Sequence, residues 1–136
     1  MKKQKSNKVR GKLFSLDKAS RKELSKEELV TRTLFALGFR INYKGFFYLR
    51  DEILLAMDNK NKMITKLHEE VAKKCNEQNP KKQIKASSVE SCIRTAINSA
   101  WKNKKEKIKQ LTGEKKKPTV GRLVFEIADA INNSDK

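Results

Sequence analysis

One stretch decides the fold of this chain, and it reads Ala86-Ser-Ser-Val-Glu-Ser-Cys-Ile-Arg-Thr-Ala-Ile-Asn-Ser-Ala-Trp101. Ser87 and Glu90 have the spacing of a capping box, so we expect a helix to begin at Ser87. Apolar residues recur in the stretch every three or four positions, which predicts that one face of this helix lies in a core. These apolar residues are Val89, Ile93, Ala96, Ile97, Ala100 and Trp101.

The opposite face of this helix carries short or fork-shaped hydrogen-bonding side chains. A helix with one buried face and one such polar face can approach base edges in a DNA major groove. Arg94 can bind a base through two hydrogen bonds, and Glu90 either accepts from a cytosine amine or belongs to the capping box. The residues predicted to read bases are Ser88, Glu90, Ser91, Arg94, Thr95 and Asn98.

The net charge of +17 is concentrated in three segments. Residues 1–22 hold nine Lys or Arg and one Asp, residues 81–85 hold three Lys, and residues 102–117 hold eight Lys and two Glu. These segments account for the whole net charge, which favours binding to a polyanion. Two of them flank the polar-faced helix, so we expect phosphate contacts from Ser87, Lys81, Lys82, Lys85, Lys102, Lys104 and Lys105.

Length and composition restrict the architecture. With 136 residues and a hydrophobic fraction of 37%, the chain can form one core. We expect a basic, flexible N-terminal tail over residues 1–22, in which Leu13, Phe14 and Leu16 either dock on the domain or are exposed, and a helical domain over residues 23–136. No apolar run is long enough for a membrane span, and the two Cys and one His are not spaced as metal ligands.

Helical periodicity continues through the domain, and no segment alternates with a period of two. We predict helices over residues 25–37, 46–58, 62–75 and 103–112, besides the one from Ser87 and a last one that opens at Pro118 and Thr119. The expected fold is an all-α, six-helix bundle-like domain whose third and fourth helices form a helix-turn-helix. The predicted end signals are a capping box of Ser25 and Glu28, an Asn61 cap, and stops at Gly38 and Gly113.

Several segments resemble the C-terminal DNA-binding (effector) domain of the sporulation-initiation response regulator of endospore-forming bacteria, in the same order and register. The resemblance covers residues 29–133 and implies a six-helix domain that binds duplex DNA as tandem copies and acts on transcription. It also implies that the helix beginning at Ser87 is the recognition helix. Its segments are Tyr43-Lys-Gly-Phe-Phe-Tyr-Leu-Arg-Asp-Glu-Ile53, Ile64-Thr-Lys-Leu67, Val71-Ala-Lys-Lys-Cys-Asn76, residues 86–101 and Lys117-Pro-Thr119.

This sequence departs from the family at three places. A phosphorylatable receiver precedes the family's effector domain, whereas a short basic segment precedes the first predicted helix here, so we expect no control through a receiver aspartate. The connector before the fourth helix is several residues longer and includes Pro80. The family has arginines at the positions that Ser88 and Ser91 occupy in this sequence. Because serine offers a single hydroxyl, we expect a different preferred DNA site.

The leading hypothesis is a sequence-specific double-stranded DNA-binding protein, a transcriptional regulator of the bacterial cytoplasm that is associated with the nucleoid. The alternatives are a plasmid- or phage-type accessory or architectural protein acting at an origin, and an RNA-binding protein. We expect no enzymatic activity, because neighbouring carboxylates such as Asp51 and Glu52 point apart on a helix and no nucleophile–base pair is present. We expect no cofactor and no membrane partner, while self-association as tandem copies on DNA is consistent with the resemblance.

Overall fold

The computed structural model describes residues 24–59 and 61–134. Within these ranges the chain forms five helices and no strand, which confirms the all-α prediction. The expected count of six was wrong, because the fourth and fifth predicted helices are joined through a kink at Lys104 into one helix. The predicted basic tail lies outside the described residues. The helices are α1 (Lys26–Ala36), α2 (Lys44–Asp58), α3 (Ile64–Gln78), α4 (Ala86–Thr112) and α5 (Val120–Ser134).

Both ends of α1 follow from the local sequence. Ser25 Oγ accepts the Glu28 N–H at 3.1 Å, and the Glu28 carboxylate accepts the Ser25 N–H at 3.0 Å, so the predicted capping box is confirmed. Hydrogen bonds from the Ser25 backbone amide and hydroxyl lower the pKa of Glu28, because they favour its charged form. Gly38 follows the helix with a φ of 91°, which confirms its predicted role as a stop.

A kink at Lys104 replaces the break that we expected near Asn103. Lys104 has a φ of −138° and a ψ of 47°, and the helix then resumes until Gly113, whose φ is 74°. The helix can resume after Lys104 because residues 102–112 contain many strong helix formers and neither Pro nor Gly. Beyond the kink, Ile108 and Leu111 are buried. The kink therefore turns the last two turns of α4 onto the core.

Two predicted caps are absent from the structure. The helix α3 begins after Met63 without a side-chain cap, and the Asn61 N–H instead donates to Asn59 Oδ1 at 3.2 Å. The helix α4 begins one residue before Ser87 and also lacks a side-chain cap, so the capping box of Ser87 and Glu90 was wrong.

The start of α4 is determined by a contact with α3. The Ile84 N–H donates to Asn76 Oδ1 at 2.7 Å, and Asn76 Nδ2 donates to the Ile84 carbonyl at 3.0 Å. These two hydrogen bonds tie the connector 79–85 to α3. Because the connector is held in this way, α4 begins at Ala86, after Lys85, without help from Ser87.

The helix α2 lies at the centre of the domain and contacts each of the other four helices. Its closest approach is to α4, where a Cβ added at Gly45 would lie 2.1 Å from the carbonyl oxygen of Cys92. The apolar stripes predicted from periodicity form a single core, although Trp101 and Leu54 are half-buried. Both cysteines are half-buried free thiols, and Cys75 packs against the core.

A polar pair is buried between α2 and α3. His68 Nδ1 lies 2.5 Å from Glu52 Oε2, and both residues are buried. His68 therefore has a hydrogen-bond partner inside the domain. Burial raises the pKa of Glu52, and the hydrogen bond from His68 offsets only part of this shift.

Replacement of Gly45 by alanine is expected to destabilise the domain by roughly 3 kcal/mol, the upper end of overpacking costs, because the added Cβ meets the backbone of α4. Gly121→Ala is the matched control, since its Cβ would lie 3.5 Å from the Ile64 side chain, an ordinary contact. The control is expected to stabilise α5 by about 0.5–1 kcal/mol. Urea unfolding followed by circular dichroism measures both changes, and equal effects of the two substitutions would contradict the proposed close approach.

The raised pKa of Glu52 predicts a pH-dependent stability contribution. A raised pKa in the folded state stabilises the fold fully below the ordinary value of 4.5, and this contribution is lost as the pH rises through the raised value. Glu52→Gln cannot ionise, so its free energy of unfolding should rise relative to wild type as the pH increases above 4.5. Urea titrations at several pH values measure this difference, with Glu77→Gln on the exposed surface of α3 as the control. A pH-independent difference between Glu52→Gln and wild type would refute the assignment.

Candidate nucleic-acid interface

The residues predicted to read bases lie together on the surface of α4, before its kink. Ser88, Ser91 and Thr95 are exposed, and Asn98 is half-exposed. Steps of three and four residues place these side chains on one stripe, which continues to the exposed Lys102. The opposite side of the same segment holds the fully buried side chains of Val89, Ile93 and Ile97. The core therefore determines which face of α4 is presented outward.

Arg94 and Glu90 form an ion pair next to this stripe, one helical turn apart. The Arg94 side chain retains 57% of its exposure, so its guanidinium is still accessible to a partner. An exposed pair of this kind stabilises a helix by only about 0.3–0.5 kcal/mol, which a charged ligand can replace at little cost. Thr95 Oγ1 donates to the Ser91 carbonyl at 3.2 Å, which orients that hydroxyl on the helix surface.

The segment between α4 and α5 packs beside the same face. Lys117 Nζ donates to Asn98 Oδ1, which brings residues 113–119 alongside the polar stripe. Lys115 and Lys116 are exposed in this segment. Neither these two lysines nor Lys117 were among the predicted phosphate contacts, although all three belong to the basic segment 102–117. Only the contact of Lys117 with Asn98 shows that they lie next to the candidate site.

The predicted phosphate-binding lysines form two separate groups. Lys81, Lys82 and Lys85 are exposed in the connector that precedes α4, and Ser87 is exposed in its first turn. The second group, Lys102, Lys104 and Lys105, lies around the kink and is also exposed. At 1.5 Å per residue, Lys85 and Lys102 are about 25 Å apart along the helix. The structure therefore places positive charge at both ends of the polar stripe.

Two lysines of the second group also have structural contacts. Lys105 Nζ lies 5.8 Å from the centroid of the Trp101 ring, a cation–π arrangement. A Cβ added at Gly38 would lie 2.6 Å from Lys104 Cγ, so the stem of Lys104 packs on the turn after α1. Because of this packing, Lys104 contributes to the fold as well as to the surface charge.

Acidic residues of the α4 region are neutralised by ion pairs. In residues 79–117 there are twelve Lys or Arg but only three Glu. Glu90 pairs with Arg94, Glu106 with Lys109 at 3.5 Å, and Glu114 with Arg122 at 3.0 Å. Positive charge therefore dominates this side of the molecule, as binding to a polyanion requires.

The part of the chain that the structure describes contains neither a candidate metal site nor a membrane-spanning helix. Residues 24–59 and 61–134 contain no group of three or more His, Cys, Asp or Glu side chains that could hold a metal ion. In the same ranges, no helix combines the length and the apolar character needed to cross a bilayer.

A comparison with known protein families is consistent with a nucleic-acid interface. The family model described as sporulation initiation factor Spo0A C terminal matches residues 30–131. This match covers 102 of the 136 residues and includes α2, α3 and α4 completely. The domain that this family describes is the DNA-binding domain of a sporulation transcription regulator. The polar, lysine-flanked face of α4 agrees with this match, and the chain belongs to the Spo0A C-terminal family of DNA-binding domains.

Proposed function

We propose that this protein binds double-stranded DNA sequence-specifically as a transcriptional regulator, with the exposed face of α4 in the major groove. The observation that carries the proposal is the outward stripe of Ser88, Ser91, Thr95 and Asn98 on a helix whose other face is buried. Small side chains allow the helix backbone to come close to base edges. In this arrangement α3, the connector 79–85 and α4 act as a helix-turn-helix with a long turn, held by Asn76.

Arg94 is proposed as the main base-reading residue. Its guanidinium is exposed and paired only through a weak surface contact with Glu90. On DNA, Arg94 can exchange this contact for two hydrogen bonds to a guanine, and the released Glu90 can then accept from a cytosine amine. Ser88 and Ser91 each offer one short hydroxyl, so the preferred site differs from one that arginines at these positions would select.

The two lysine groups are proposed to contact phosphates on either side of the groove. Lys81, Lys82, Lys85 and the first-turn Ser87 serve the start of α4, and Lys102, Lys104 and Lys105 serve the region of the kink. The lysines at 115–117 join the second group through the contact between Lys117 and Asn98. Such contacts set affinity and register, and the residues of the stripe set sequence preference.

Duplex binding should weaken steeply as salt increases, because each lysine that contacts a phosphate releases a counterion. Fluorescence anisotropy with a labelled duplex, at several salt concentrations between about 50 and 200 mM, gives the slope of the logarithm of affinity. A structured RNA of equal length is the control ligand. A slope near zero, or tighter binding to the RNA in the same salt, would contradict the proposal.

Arg94→Ala should relax the preference at one base pair by about 1–3 kcal/mol, because it removes a bidentate base contact. Selection from a random duplex library identifies the preferred site, and a panel of single-base changes then measures the preference for both proteins. Lys102→Ala is the matched control and should weaken every duplex about equally. Lys104→Ala would be a less suitable control, because Lys104 packs against Gly38 and its replacement would also affect folding.

An unchanged base preference in Arg94→Ala would show that α4 is not the reading element. A change of preference in Lys102→Ala would show that the stripe extends further along α4 than proposed.

A further inference from the structure

A groove between α2 and α3 lies apart from the proposed DNA-binding face. It has a volume of about 270 Å³. Its floor is apolar and consists of Leu54, Leu55 and Val71, of which both leucines are only half-buried. Apolar surface of this kind gains free energy when another apolar group covers it. The carboxylates that line the groove belong to Asp51, Asp58 and Glu70.

The chain enters the domain beside this groove. Lys26, the first residue of α1, lies with its Nζ 3.4 Å from Asp58 Oδ1. Leu24, two residues earlier, is half-buried and packs against the core. The described part of the chain, which follows residues 1–23, therefore begins near the Asp58 end of the groove.

One segment of those preceding residues has the composition that the groove requires. Residues 12–18 read Lys-Leu-Phe-Ser-Leu-Asp-Lys and contain three large apolar side chains within four positions. Leu16 is eight residues before Leu24, and an extended chain of that length spans up to roughly 26 Å. The groove runs along α2 from Asp51 to Asp58, about 10 Å at the rise of a helix. The tether is therefore long enough to place the apolar segment over the floor.

Charge at the rim of the groove adds little to docking, because each carboxylate there already has a basic partner. Lys26 pairs with Asp58 at 3.4 Å, Lys62 with Glu70 at 2.6 Å and Arg50 with Asp51 at 3.7 Å. The contacts that favour docking are therefore apolar.

We propose that Leu13, Phe14 and Leu16 dock into the α2–α3 groove of the same molecule. The short tether gives the segment an effective concentration on the order of millimolar, so weak contacts are enough for docking. Docking holds the basic N-terminal residues on the side of α2 and α3. This inference is independent of DNA binding by α4.

Methyl NMR of the full-length protein tests the proposal directly. The double variant Phe14→Ser and Leu16→Ser removes the apolar contacts and the aromatic ring, and Val9→Ser is the matched control in the same basic segment. Methyl resonances of Leu54, Leu55 and Val71 are compared between each variant and wild type. The buried methyl groups of Ile108 and Leu123, which lie on α4 and α5, serve as internal references.

Shifts in the double variant that are confined to Leu54, Leu55 and Val71, absent in Val9→Ser and independent of protein concentration, would support the proposal. No shift at these methyl groups would overturn it. Shifts that grow with protein concentration would also overturn it, because the segment would then occupy the groove of a second copy. Sedimentation velocity on the same samples reports self-association, and so distinguishes docking within one molecule from docking in a second copy.

Discussion

The orientation of the polar stripe on α4 depends on the contact between the backbones of α2 and α4. Gly45 allows this contact, since a Cβ at that position would lie 2.1 Å from the Cys92 carbonyl oxygen. Around it, Phe46 of α2 and Ile93 of α4 are completely buried. A helix held so closely along one side has no freedom to rotate about its axis. Its polar stripe therefore faces outward as a rigid surface, which a base-reading element requires.

Electrostatics add to this rigid surface without determining the fold. The acidic residues around α4 are in ion pairs, whereas lysines project at both ends of the polar stripe. Exposed lysines stabilise a folded domain very little, so the contacts of Lys104 and Lys105 do not by themselves explain the concentration of lysines here. Attraction to a polyanion does explain it, and agrees with membership of a DNA-binding family.

Much of the fold could be predicted from local pattern. Periodicity identified most of the buried apolar residues of the helices, and the capping box of Ser25 with Glu28 was confirmed. An interruption near Asn103 was predicted, but its form, a kink at Lys104 with the side chain against Gly38 and Ile108 on the core, is set by tertiary packing. The candidate site was predicted in outline from the polar stripe, while the lysines near Lys117 were missed because their proximity to Asn98 spans 19 residues.

The sequence by itself determined the fold class, the apolar face of each helix, the glycine stops and the family, because these depend on residues close together in the chain. Tertiary structure decided how the same residues are used. Glu90 could have capped α4, but the hydrogen bonds of Asn76 with Ile84 start that helix earlier, and Glu90 pairs with Arg94 instead. Which of two locally possible hydrogen bonds forms depends on neighbours that only the folded chain brings into contact.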